Sequence, residues 1–297
     1  MPNFLAIGTY DGVHLGHRKI VLSAVREALR RGMKSRVVYF PFPPKFFFSG
    51  ETSNCLITLP EERERLLTAL RPDSVEAFPF DRQLSLMDAD QFFARMVMGR
   101  FQAGGLCVGP DFAVGRGREG HVDFLRGACR GARIAFKAVP FATRRGHKIS
   151  SSLIRALLRA GDVEEANLCL GWRYSISGPV VRGAGIGRQL GFRTANVGVH
   201  EAKILPPGIF AAAFRVDGEV LPAVMNVGRR PTVKSLGGRM LAEAHILDFS
   251  RMIYGRKVEV AFLKRLRGER RFASRDALVA RIRQDIAEAR RYFEKTR

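Results

Sequence analysis

The sequence predicts an α/β chain in two parts: a doubly wound parallel-sheet domain, then a small antiparallel β-barrel with a C-terminal helix. Three observations carry this. Up to about residue 170, short apolar runs of strand length alternate with segments of helical period. After Gly171 the apolar runs succeed one another across Gly and Pro turns with no helix between them. The charge divides at the same place, with 25 basic against 17 acidic side chains in residues 1–170 and 25 against 11 in residues 171–297.

The first strand is Phe4-Leu5-Ala6-Ile7, an uninterrupted apolar run of the kind buried on both faces of a sheet. A helix follows from about Gly16, with Ile20, Val21, Ala24, Val25, Ala28 and Leu29 on one face and Gly32 as its stop. Arg36 to Phe40 is the second strand, and strand, crossover helix, strand makes a βαβ unit. The pattern then repeats. Helices are expected at Pro60–Leu70, Asp88–Arg100 and Val122–Gly131, and strands at Ser74–Phe78, Gly105–Gly109 and Arg133–Val139. Two short helices, near Ser150–Ala160 and Val163–Leu170, close this part, and a linker is expected near Leu170–Ser175.

The barrel strands are expected at Tyr174–Val181, Gly208–Val216, Val220–Val227, Met240–Leu247 and Lys257–Phe262. Ser274 is the expected N-cap of the last helix, whose apolar stripe is Leu278, Ile282, Ile286, Ala289 and Phe293. No internal repeat is visible.

Composition bounds the function. The chain has 297 residues, 46% apolar, which is normal for a globular protein. No run of about 18 apolar residues exists, so no membrane-spanning helix is expected. The opening MPNFLAIGTYDG has neither a basic stretch, an apolar core nor a cleavage site of a secretory leader. Cys55, Cys107, Cys129 and Cys169 are scattered without a CxxC pair, which argues against a zinc ribbon or a disulfide framework and for a reducing cytoplasm. The net charge of +22 is compatible with nucleic acid, an acidic surface or phosphorylated substrates. It is spread along the chain and broken by acids and apolar residues, as on a solvated surface.

Two segments carry the chemistry. The first is Gly8-Thr9-Tyr10-Asp11-Gly12-Val13-His14-Leu15-Gly16-His17, which joins the first strand to the first helix. Ligands of an open parallel sheet bind beyond the carboxyl ends of the strands. Glycines admit a phosphate to the backbone, the helix start offers N–H groups to an anion, and two histidines can donate to a phosphate as charge accumulates. No Walker lysine is present, which excludes a P-loop. The string resembles the HxGH signature of the nucleotidyltransferase superfamily, in the wording of its flavin-nucleotide branch. Lys148-Ile149-Ser150-Ser151-Ser152-Leu153-Ile154-Arg155 is similar to its ISSTxIR signature, with Ser152 where Thr is usual, and Gly109-Pro110-Asp111-Phe112-Ala113-Val114-Gly115 to its GxDFxFG loop, with Val114 replacing an aromatic residue.

The second segment is Gly183-Ala184-Gly185-Ile186-Gly187-Arg188-Gln189-Leu190-Gly191-Phe192-Arg193-Thr194-Ala195-Asn196. A hydroxyl and an amide oxygen two residues apart face the same way on an extended chain, and neutral oxygens beside substrate phosphates suit Mg²⁺. The loop resembles GxGRxLGFPTAN of riboflavin kinases, with Arg193 in place of a proline. Leu241-Ala242-Glu243-Ala244-His245-Ile246-Leu247 is similar to the strand that carries that family's catalytic glutamate, and Asn226-Val227-Gly228-Arg229-Arg230-Pro231-Thr232, Tyr254-Gly255 and Arg267-Gly268-Glu269-Arg270-Arg271-Phe272 match further segments of it.

The resemblance spans nearly the whole chain and implies a bifunctional flavin-cofactor enzyme: a Rossmann-like nucleotidyltransferase domain at 1–170 and a riboflavin kinase barrel at 175–297. It implies phosphorylation of riboflavin to FMN and adenylylation of FMN to FAD, with ATP as donor and Mg²⁺ in both. Glu243, His14 and His17 are the expected catalytic residues. Gly8, Tyr10, Asp11, Gly12, Gly16, Ser150, Ser151, Ser152 and Arg155 would hold the nucleotide of the first site. Gly183, Gly185, Gly187 and Gly191 would hold that of the second, with Thr194 and Asn196 on the metal. Asp111, Phe112, Arg267 and Glu269 are the expected flavin contacts. The partners expected are these small molecules, with no membrane and no nucleic acid. Two other readings stay open on the sequence: an adenylyltransferase whose kinase half is disabled at Arg193, and a basic nucleic-acid-binding protein.

Overall fold

The computed structural model describes residues 2–183, 187, 190–229 and 240–296. Contacts divide the chain into two compact units, Met1–Ser151 and Ser152–Arg297.

In the first unit a five-stranded parallel sheet is ordered β3-β2-β1-β4-β5, formed by β1 (Asn3–Gly8), β2 (Lys34–Tyr39), β3 (Ser74–Ala77), β4 (Ala103–Val108) and β5 (Ala135–Ala138). Alternate side chains of β1 enter opposite cores. Leu5 and Ile7 join Val38, Phe92, Val97 and Leu106, whereas Phe4 and Ala6 join Val21, Ala24, Val37 and Leu67. Burial on both faces is why the strand reads as an unbroken apolar run. Each such large side chain contributes roughly 1.5–3 kcal/mol.

Helix α1 (Leu15–Arg30) lies on one face through Val21, Ala24 and Ala28. Helices α2 (Pro44–Ser49), α3 (Pro60–Thr68), α4 (Arg82–Leu86), α5 (Ala89–Phe92) and α6 (Val122–Gly131) follow. The segment expected as one α-helix from Asp88 to Arg100 is α-helical only over α5, with Asp88 as N-cap, and continues as π-helix over Phe93–Arg100. The wider turn ends with Phe101 N–H bonded to Met96 O, and Phe92, Phe93, Val97 and Phe101 all face one core. A short hairpin, β6 (Thr143–Arg144) with β7 (His147–Lys148), completes the unit. The strand order reverses between β1 and β4, so the switch point, where open α/β sheets bind ligands, lies at their carboxyl ends.

Helix α7 (Ser151–Ala160) starts at the last residue of the first unit, and α8 (Val163–Leu170) follows. The second unit is a closed barrel ordered β10-β11-β12-β9-β8-β13. Its strands are β8 (Ser175–Val181), β9 (Ala195–Val197), β10 (Gly208–Val216), β11 (Glu219–Arg229), β12 (Met240–Ile246) and β13 (Lys257–Arg267). Pairing of β13 back to β10 closes it. The rings of Phe210 and Phe262 meet at 5.1 Å, both fully buried, and Tyr174 stacks on Phe262. Asn167 of α8 fixes the barrel entrance, donating to Phe262 O and accepting from Tyr174 N.

Helix α9 (Arg275–Lys295) is capped by Ser274, whose Oγ accepts from Ala277 N. It covers Ile209, Ala211, Val224 and Leu247 with Ile286, Ala289, Tyr292 and Phe293. Arg267, at the end of β13, grips Asp285 of α9 through Nε and Nη2, the latter at 2.7 Å. With Asp285 only 2% exposed, this pair joins helix to barrel.

Candidate functional site

One candidate site is built around the β1–α1 loop and the other along β12 of the barrel. In the first, the β1–α1 loop is built around His14. Its backbone is extended (φ −67°, ψ 171°) and its imidazole is the N-cap of α1, with Nδ1 accepting from Gly16 N at 3.1 Å and His17 N at 3.3 Å. The expectation that these first N–H groups stand open to an anion is therefore corrected: a side chain inside the loop has taken them. Gly12 N is likewise bonded, to Thr58 Oγ1 at 2.9 Å, and Val13 N to Tyr10 O. Because Nδ1 accepts twice, the ring proton of neutral His14 sits on Nε2. The imidazole, 5% exposed, thus caps α1 through Nδ1 and keeps its one N–H on Nε2. His17 stacks on it at 3.6 Å, and Tyr10 closes edge-on against His17 at 5.3 Å.

Tyr10 is 2% exposed and packs under Gly8, its ring atoms about the Cα of that residue. Its phenol finds no hydrogen-bond partner among the described residues, and burial pushes it well above the ordinary tyrosine range, with Cys107 nearby adding to the shift. It supports His17 from below. Asp11 is fully buried and bonded to Ile57, Thr58 and Arg63. Ser151 Oγ donates to Asp11 O at 2.8 Å, which ties Ser151 to the histidine loop. Ser150, half-buried, precedes it; Ser152 is exposed on α7, and Arg155, one turn on, is 5% exposed.

Asp111 lies in the loop after β4, on the other side of the switch point. Its carboxylate pairs with Lys148 Nζ at 2.7 Å, and that ammonium also sits 3.8 Å from the Phe141 ring centre. Phe112 packs partly into the core of the sheet. Arg118 donates to Asp111 O, so the loop is tied at both ends.

In the second unit, Glu243 of β12 is in register with Asn196 of β9 on one side and with Asn226 of β11 on the other. Directly opposed residues share a face. Ala242 and Ala244 point into the barrel, so Glu243, Asn196 and Asn226 form a polar row outside it. The row continues through Ile209 to Arg267.

Glycine is required at two places in the loop before β9. A Cβ on Gly183 would strike the Asn196 amide, and one on Gly187 would meet Phe192 O at 2.7 Å and Thr194 Oγ1 at 3.0 Å. These contacts bring Thr194 and Asn196 to the glycine loop. Gly191 turns the chain at φ 86°, and Gly185 lies outside the described residues, as do Arg230, Pro231 and Thr232. Arg193 is exposed; its carbonyl accepts from His245 Nδ1 at 2.8 Å, a bond that proline at this position could also receive. Glu269 lies with its carboxylate against the Cα of Gly228.

Arg63 and Asp285 escaped sequence reasoning, as did Asn226 as a neighbour of Glu243. Arg63 reads as a solvated charge in Pro60-Glu61-Glu62-Arg63-Glu64-Arg65, yet it shares a helical face with Leu66, Leu67 and Leu70, the signal that could have found it.

Comparison with known proteins gives the following. A family model described as FAD synthetase matches residues 1–153, and one described as riboflavin kinase matches residues 170–293. The chain is 35% identical to the bifunctional riboflavin kinase/FMN adenylyltransferase of Escherichia coli K12, over 99% of this chain and 93% of that one. It is 33% identical to the enzyme of the same description from Bacillus subtilis, again over 99% and 93%. Among solved structures, a crystal structure described as a macrolide-efflux protein from Streptococcus pneumoniae superposes with a TM-score of 0.88 at 27% identity, covering 97% of this chain and 94% of that one. The efflux description belongs to that protein; the shared backbone shows the fold. No helix of the described residues is long and apolar enough to cross a membrane.

Proposed function

Since the chain belongs to the family of bifunctional riboflavin kinase/FMN adenylyltransferases, we propose the residues that divide its two reactions between them. The enzyme phosphorylates riboflavin to FMN and adenylylates FMN to FAD, with ATP as donor of both groups. We assign the adenylyltransferase to residues 1–170 and the kinase to residues 175–297; the reading is supported by two family models that match separate parts of the chain, residues 1–153 and 170–293.

In the kinase, Glu243 accepts the proton of the ribityl 5′-hydroxyl as that oxygen attacks the γ-phosphorus and ADP departs. The observation that carries this is the register of Glu243 with Asn196, which puts a carboxylate beside the glycine loop that would cradle ATP. Gly183, Gly185, Gly187 and Gly191 let the loop approach the phosphates. Thr194 Oγ1 and the Asn196 amide oxygen are the metal ligands of this reading. Two neutral oxygens from the protein, completed by phosphate and water, suit Mg²⁺, which usually keeps most of its shell for substrate. That ion would neutralise charge on the β- and γ-phosphates.

In the adenylyltransferase the FMN phosphate is itself the nucleophile on the α-phosphorus, and pyrophosphate leaves. No proton has to be removed, so the protein positions and neutralises. His14 Nε2–H and His17 face the charge that develops. Ser150, Ser151, Ser152 and Arg155 hold the triphosphate, and Gly8, Gly12 and Gly16 keep the loop close to it. Tyr10 and Asp11 act from behind the loop. Asp111 and Phe112 of the facing loop bind FMN. In the barrel, Arg267 and Glu269 shape the flavin side of the kinase site, Arg267 by holding α9 in place. The partners in this reading are small molecules rather than nucleic acid, in the cytoplasm where ATP and flavin meet.

The test is a product assay. Purified protein is incubated with riboflavin, ATP and Mg²⁺, and riboflavin, FMN and FAD are separated by chromatography. Sequential FMN and FAD are expected, with His14→Ala blocking only FAD formation from FMN and Glu243→Gln only FMN formation. Loss of both reactions in either folded variant contradicts the assignment.

A further inference from the structure

Beneath the histidine loop, Asp11 and Arg63 form an ion pair with both side chains fully buried, Nη2 to Oδ1 at 3.0 Å. Asp11 Oδ1 receives Ile57 N at 3.1 Å, Thr58 N at 2.9 Å, Thr58 Oγ1 at 3.1 Å and Arg63. Oδ2 receives Ile57 N at 3.2 Å. Arg63 turns Nη1 to three carbonyls, Thr9 O at 3.0 Å, Phe40 O at 2.7 Å and Pro41 O at 3.0 Å. Its Nε and Nη2 also meet Thr58 Oγ1 and Thr58 O. Thr9 follows β1, and Phe40 and Pro41 follow β2, so one guanidinium of α3 ties two neighbouring strand ends to the loop.

A carboxylate buried under a loop that receives a triphosphate repels it, and burial denies that charge the screening of solvent. A guanidinium keeps its proton at any working pH, so it cancels the carboxylate permanently. We infer that Arg63 is a positioning residue for adenylyl transfer, which acts by cancelling the Asp11 charge beneath the ATP phosphates. This rests on the reading that ATP binds at the Gly8–His17 loop. Asp11 on its own side sets the loop, and Arg63 makes that carboxylate tolerable there.

The experiment uses the full chain and measures initial rates of FAD formation from FMN while ATP is varied. Wild type, Arg63→Lys, Arg63→Met, Asp11→Asn and the double variant D11N/R63M are compared, with folding followed by circular dichroism. R63M is expected to raise the KM for ATP about tenfold or more, R63K to leave it within about threefold, and D11N/R63M to return it to within about threefold of wild type. Asn keeps an oxygen at the Oδ1 position, so the double variant removes charge rather than the acceptor. A loss of packing alone would not be repaired by the second substitution. If folded R63M keeps the wild-type KM, or D11N/R63M is no better than R63M, the inference is overturned. If R63M does not fold, D11N decides: removing the Asp11 charge opposite Arg63 should lower the KM for ATP by about threefold, and an equal or higher KM overturns the inference. Failure of wild type itself to make FAD from FMN is a different result, which removes the reading of the site.

Discussion

Glu243 of β12 stands directly opposite Asn196 of β9, while Asn226 of β11 flanks the glutamate on its other side. The glutamate and its neighbours are thus set by strand register, in which a one-residue slip would turn the whole row to the other face. Glu243→Gln should therefore leave the barrel intact and lower the rate of FMN formation by about 10²–10⁴-fold, the usual contribution of a general base. Quantifying FMN by chromatography checks this, with FAD formation from supplied FMN as control. An unchanged kinase rate would show that Glu243 is not the base.

His14 caps α1 through its side chain, and in the proposed reaction it also presents Nε2–H. His14→Ala removes both and should cost about 1 kcal/mol of stability along with FAD formation. His14→Asn supplies a good N-cap without an imidazole. It should recover most of the melting temperature and none of the FAD formation, and recovery of activity would shift the role from the ring to the cap.

Glu27 of α1 bonds Lys137 at 2.9 Å and Arg30 at 2.8 Å, and these partners hold its carboxyl down at about 2. A carboxyl lowered on folding stabilises the fold above its unfolded value and stops doing so as pH falls through the folded one. Wild type should melt above Glu27→Gln at pH 7. The gap should shrink below about pH 4.5 and close near pH 2. A gap independent of pH would exclude ionisation as its origin.

Asp285 holds Arg267 at 2.7 Å and Arg281 at 2.9 Å. Asp285→Ala leaves the largely buried Arg267 charge without this partner and should destabilise the second unit by about 3–5 kcal/mol. Trp172 is the one tryptophan of the chain and belongs to that unit, so its fluorescence in a urea titration reports the loss. A midpoint equal to wild type would mean that α9 is held by its apolar face alone.

Much of this was legible beforehand. The βαβ alternation, the barrel grammar and Ser274 as a cap follow from period and turn chemistry over lengths that average out noise. The short α2 and α4, the β6–β7 hairpin and β9 did not stand out. Three residues such as Ala195-Asn196-Val197 are too few for an alternation to register, and β9 exists because β8 and β12 pair with it. The π-helix at Phe93–Arg100 likewise answers to the core it fills rather than to its own sequence. At the candidate sites the motifs marked where chemistry is expected, but only long-range contacts revealed what each motif residue does. Asp11 lies 52 positions from Arg63, and nothing local marks its carboxylate as turned inward.

A stave of three residues also sets how the barrel breathes. β9 is held by two paired positions on each side, whereas β10 and β11 share nine. Its amides are therefore the ones expected to exchange with deuterium first, through local opening far short of global unfolding. Asn196 rides on that stave. Nucleotide that engages the neighbouring loop would slow this exchange, so occupancy of the site would be written in the protection of a single short strand.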